Sequence, residues 1–180
     1  MKRVLTAVFR VITRLEELCL AWGMIAIALL TIANVVGRVF GQSLAFAEEL
    51  NRFLIVFVTF LGLGYAASKA RHIRMTALYD QLPTRVRKAL ALTISLTTAG
   101  LLFGLTWLSV DYAVGTVRVL GSRSPVLGAP LWLVYLSAPL GFFLAGVQYL
   151  LAFARNVVDE DVWVSFDHRD GYDEPPAAGI

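Results

Sequence analysis

Four stretches of this chain contain no Asp, Glu, Lys or Arg: residues 18–37 (20 residues), 53–68 (16), 89–110 (22) and 124–154 (31). A hydrocarbon core about 30 Å thick is crossed by roughly 20 helical residues, so the first and third stretches fit directly. The fourth must start late, near Leu131, after Pro125 and Pro130. The second is too short alone and has to reach back through Leu50 towards Ser43, which carries Glu48, Glu49 and Arg52 to the membrane boundary. None of the four alternates apolar and polar residues as a transmembrane barrel strand would. The pattern predicts an all-α integral membrane fold of four transmembrane helices, with crossings at about 18–38, 44–68, 89–111 and 131–154.

Composition agrees: 58% of the 180 residues are apolar and 16% charged, against about 45–50% and 25% in soluble domains. A net charge of +3 is no footprint for a nucleic acid, which needs a dense basic face. With Cys19 the single cysteine, neither an internal disulfide nor a thiolate metal cluster can form.

Residues 1–17 precede the first crossing. At 100° per residue Val4, Val8, Val11, Ile12 and Leu15 share one arc, with Arg3, Arg10, Arg14 and Glu17 opposite. This predicts an amphipathic helix lying on the membrane surface; the alternative is an extension of the first crossing into water. A cleaved secretory signal is disfavoured, because the apolar run starts only at Leu18 and ends at Gly37 and Arg38 without a small-residue cleavage site. With four crossings the two termini and the middle loop share one side, which holds 12 basic residues against 4 on the other. By the positive-inside rule both termini are cytoplasmic. The tail 156–180 is acidic and ends near Pro175 and Pro176, a composition that stays unfolded or awaits a partner.

An enzyme reading fails on inventory. His72 and His168 lie outside the crossings, so paired intramembrane haem ligands are absent, and one cysteine excludes a dithiol oxidoreductase. No G-x-x-x-x-G-K-[ST] phosphate loop occurs. No acidic residue stands at mid-membrane, where an ion relay would want one; Asn34 and Asp111 fall at the outer ends of their helices. No catalytic, substrate-binding or metal-ligating residue is assigned.

The candidate residues are instead those of assembly. Gly100 and Gly104 in the third crossing, Ser137, Gly141 and Ala145 in the fourth, and Gly62 with Ala66 in the second recur every four residues, a spacing that lets helix backbones approach closely. They suit a compact bundle or one docked on another protein. Pro139 should bend the fourth helix. Arg38, Glu48, Glu49 and Arg52 cluster at the outer boundary; Arg38 closes the first crossing and the glutamates open the second, as the helix dipoles favour, and Glu48 and Arg52 are four apart in the favourable order. An Arg38 pair with Glu48 or Glu49 is sterically open, and the alternative is that all four snorkel to water. On the inner side His72, with Lys69, Arg71 and Arg74, is placed to meet lipid headgroups.

The strings NVVGRVF (34–40), FAEELNRFL (46–54), FLGLGYAA (60–67) and RHIRM (71–75) together resemble the small membrane subunit of tripartite ATP-independent periplasmic (TRAP) transporters. The likeness covers about residues 15–155 and is most specific from Arg38 to His72. It implies a bacterial inner-membrane subunit working with a large membrane subunit and a soluble periplasmic substrate-binding protein in sodium-driven uptake of an organic acid. It also implies that the large subunit holds the substrate and sodium sites and moves a transport domain like an elevator, while the small subunit enlarges the fixed scaffold and carries no cofactor. The outward loop 114–130, with Arg118 and Arg123, becomes a docking candidate for the binding protein. A membrane-anchor subunit of a redox complex and a small stand-alone channel are the alternatives.

Overall fold

The computed structural model describes residues 2–69 and 83–158, with side chains from Phe9 onward except that of Thr84. Helix α1 spans Lys2–Val39, α2 Ala45–Ser68 and α3 Thr84–Val110, which runs on into a π-helical segment, Asp111–Val117. A short α4, Leu131–Tyr135, leads into α5, Ser137–Val158. Among the described residues no strand forms; an isolated antiparallel bridge pairs Arg123 with Pro130. Four helical spans are long and apolar enough to cross a membrane: Phe9–Val39, Ala45–Ser68, Arg85–Val117 and Leu131–Val158. In hydrocarbon every backbone N–H and C=O has to be paired within the protein, and segments without the alternation of a barrel strand achieve this as helices.

Two boundaries differ from expectation. Residues 2–17 are not a separate element, because α1 continues unbroken from Lys2 to Val39. The reason lies in which side of the helix finds a partner. Phe9, Thr13 and Glu16 are buried, Phe9 against Leu151 and Glu16 against Gln148 of α5. Val11 and Leu15, members of the apolar arc, are each 58% exposed and face outward. The third crossing also runs past Asp111, which stands exposed at the start of the π-helical segment and does not end the helix.

Helix α5 is central, packed against both α2 and α3, while α1 leans mainly on α2. Its buried stripe is Ser137, Gly141, Ala145, Gln148, Ala152 and Asn156, small or polar at nearly every turn. At Gly141 the approach is closest: an added Cβ would collide with the Phe60 carbonyl oxygen and lie 2.6 Å from Phe60 C and 2.8 Å from its Cβ. Phe60 stacks edge-on with Phe142 at 5.4 Å between centroids. On the other side Gly146 receives the Phe103 ring, 3.2 Å from where a Cβ would stand. Gly100 and Gly104, by contrast, have nothing within 4 Å of an added Cβ; they face away from the bundle. Pro139 follows an interruption of the helix at Leu136, between α4 and α5. It lacks an N–H for the Tyr135 carbonyl and its ring crowds that group.

These contacts set an expected outcome. Gly141→Ala should destabilise the purified chain in detergent by about 1–3 kcal/mol, the usual cost of overpacking, whereas Gly100→Ala and Gly104→Ala should leave the melting temperature unchanged or slightly higher. Thermal unfolding followed by tryptophan fluorescence checks both.

Candidate functional site

One end of the bundle is built from the α1–α2 hairpin and the loop before α4. Gly41 has φ of 75°, a left-handed conformation natural to glycine, and Gln42 N donates to the Gly37 carbonyl at 2.8 Å. The Asn34 side chain then accepts from Leu44 N at 3.1 Å, just before α2 begins. A little deeper Asn51 Nδ2 donates to Thr31 Oγ1 at 2.8 Å, locking α1 to α2. Asn34 is thus a hairpin clasp.

The four charges of this end do not act as one cluster. Glu48 lies 3.9 Å from Arg38 and 3.3 Å from Arg52, with all three side chains at least half exposed. Of the two pairs open to Arg38, the one with Glu48 forms, and only loosely. Glu49 turns the other way. It is buried, and its Oε2 accepts hydrogen bonds from Val126 N at 3.2 Å and Leu127 N at 2.7 Å. One carboxylate of α2 therefore fastens the loop that joins the third crossing to the fourth. Ser124 closes that loop internally, exchanging bonds with Ala129.

Arg118 and Arg123 lie at the same end. Arg118 stands over the Trp132 ring, 5.4 Å from its centroid, and both arginines are exposed. At the opposite end Lys69 stands over Tyr65 at 5.4 Å. His72, Arg71 and Arg74 lie outside the described residues, as does the acidic tail from Asp159.

Sequence reasoning missed a polar contact inside the bundle, towards the end where α1 begins and α5 finishes. Glu16 is 2% exposed and Gln148 3%; Gln148 Nε2 donates to Glu16 Oε2 at 3.4 Å. Gly64 makes room for it, since a Cβ there would collide with the Glu16 carboxylate. A signal was available: Gln148 is the one Asn or Gln in the uncharged stretch 124–154, and a lone strongly polar residue in a crossing needs a partner. Among the described residues no group of three or more His, Cys, Asp or Glu is placed to hold a metal ion.

A profile of the tripartite ATP-independent periplasmic transporters, DctQ component, matches residues 27–159. The chain belongs to this family. It is 43% identical over 170 residues to the ectoine TRAP transporter small permease protein TeaB of Halomonas elongata, covering 94% of this chain and 88% of that one. It is 29% identical to the C4-dicarboxylate TRAP transporter small permease protein DctQ of Rhodobacter capsulatus, covering 74% and 59%. The isethionate TRAP transporter permease protein DctMQ of Oleidesulfovibrio alaskensis is 26% identical over 79% of this chain, which spans only 23% of that longer protein. The chain is a membrane-spanning small permease subunit of a TRAP transporter, a transport component and not an enzyme.

For this subunit the two adjacent glutamates of α2 should behave differently. Glu49→Ala removes the acceptor of two part-buried N–H groups and should cost about 1.5–3 kcal/mol, the range for bonds to a charged partner. Glu48→Ala breaks exposed pairs and should cost ~0–1 kcal/mol. Melting curves of the two purified variants measure the difference.

Proposed function

We propose that this small permease subunit serves sodium-driven uptake of a small organic acid across the bacterial inner membrane, as fixed scaffold for a large transport subunit. The observation that carries the reading is how the polar groups of the spans are used. Asn34, Asn51, Glu49 and Gln148 contact other parts of the same chain, while the outer faces carry large apolar side chains such as Trp22, Leu29, Leu101 and Trp107. Such a surface suits lipid and a larger apolar partner, and it is poorly equipped to pass a charged solute. In this reading the coupling sodium and the solute are held by the large subunit, and this chain needs no cofactor.

The periplasmic binding protein docks in part on the outer loop, where Arg118 and Arg123 offer positive charge on a segment fastened by Glu49. The two termini lie in the cytoplasm, supported by the 12 to 4 distribution of basic residues. The relatives' names include several cargoes, and the 43% identity to the ectoine subunit makes ectoine the first compound to assay.

Proteoliposomes with this chain alone should show no sodium-dependent uptake. Uptake should appear when the large subunit and binding protein are added, and should fall when Arg118 and Arg123 are both changed to Glu. Uptake by the chain alone would sink the scaffold reading. Orientation has its own test: a reporter fused to the C-terminus should be active in the cytoplasm, and periplasmic activity would reverse the topology.

A further inference from the structure

Helix α1 meets α5 through a buried acid that has no counter-charge. Glu16 is 2% exposed and makes no ion pair among the described residues. Its hydrogen bond comes from Gln148 Nε2 at 3.4 Å, longer than the roughly 2.7–3.2 Å of a well-formed N–H···O bond. Glu16 Oε1 and Gln148 Oε1 are buried and accept nothing, and the Thr13 hydroxyl one turn away bonds to neither. The contact is rich in acceptors and short of donors. An ionised carboxylate there is costly, because burial is tolerated where a counter-charge or several donors replace the lost water.

The charged groups on the elements packed around Glu16 do not supply either. On α1 Arg10, Arg14 and Glu17 are exposed, each turned about 100° or more from Glu16 around the helix axis. On α2 Glu16 Oε1 fills the space that a side chain at Gly64 would take. The next cation along that helix, Lys69, stands over the Tyr65 ring. On α5 Arg155 lies two turns beyond Gln148.

We propose that Glu16 is retained as the neutral carboxylic acid and that its proton is donated to Gln148, a proton-operated clasp between α1 and α5. One proton removes both defects, since it cancels the charge and turns an acceptor into a donor. The Gln148 amide oxygen is its recipient: the amide is already in contact, and the flat end groups of Glu and Gln turn over broad torsions. Acid and amide then each give and accept one bond. Ionisation sets the carboxylate against the amide oxygen and the α2 backbone, and loosens α1.

The sign of the pH effect follows. Above about pH 4.3, where an ordinary Glu ionises, the folded chain holds one proton more than the unfolded chain. Stability therefore falls as pH rises, by up to about tenfold in the folding equilibrium per pH unit, until Glu16 ionises in the fold as well.

The full chain purified in detergent provides the test. Infrared spectra at neutral pH should show the carbonyl stretch of a protonated carboxylic acid, absent from Glu16→Gln, and Gln148→Leu should move it to the higher frequency of a free acid. Glu16→Gln, neutral and of similar shape, should melt at or above the wild-type temperature at neutral pH, with the gap widening as pH rises. If Glu16→Gln does not fold, the wild-type band and its displacement in Gln148→Leu decide the matter. A neutral-pH spectrum without the band, a band unmoved by Gln148→Leu, or a melting difference between wild type and Glu16→Gln that is independent of pH would each overturn the proposal.

Discussion

In a hydrocarbon solvent an apolar side chain gains almost nothing by turning inward, and the whole architecture follows from that constraint. Helices have to be held by close backbone approach and by the few polar groups the spans contain. Helix α5 supplies the first where Gly141 meets the Phe60 backbone. It supplies the second where Gln148 meets Glu16. With α5 packed between α2 and α3, and α1 leaning on α2, the central helix is the one richest in small buried residues, while large side chains such as Trp107, 77% exposed, are left to the periphery.

The same constraint explains what was legible. Crossings are readable because missing charge is a property of the solvent the segment must enter, so four crossings emerge from counting alone. Which way a helix turns is not readable by the rule for soluble proteins. On α1 the apolar arc with Val11 and Leu15, expected to meet the membrane, is exposed, and the side that packs within the chain holds Thr13 and Glu16. Asp111 misled in a related way: an exposed charge stands within a continuing helix here, so it does not mark the helix end.

Small-residue spacing identified candidates without ranking them. Gly141 and Gly100 look alike in sequence, each the partner of another small residue four positions away. Only the first faces a neighbour within the chain. The difference depends on which face of its helix each occupies relative to a partner that is distant in sequence, which a local pattern does not contain. Glu48 and Glu49 illustrate the same limit, since adjacent helical residues point about 100° apart and so meet different surroundings.

That divergence gives the hairpin end of the bundle one adaptable carboxylate and one fixed one. Glu48, shared by two exposed arginines, is screened by water and salt and can rearrange without loss of the fold. Glu49 holds the backbone of the loop before α4 from a buried position, and that loop carries Arg123 and begins just after Arg118. A partner docking there meets a segment whose backbone is already ordered, so less conformational entropy is lost on binding. The rigid carboxylate sets the position of the loop and with it the place of the exposed Arg123.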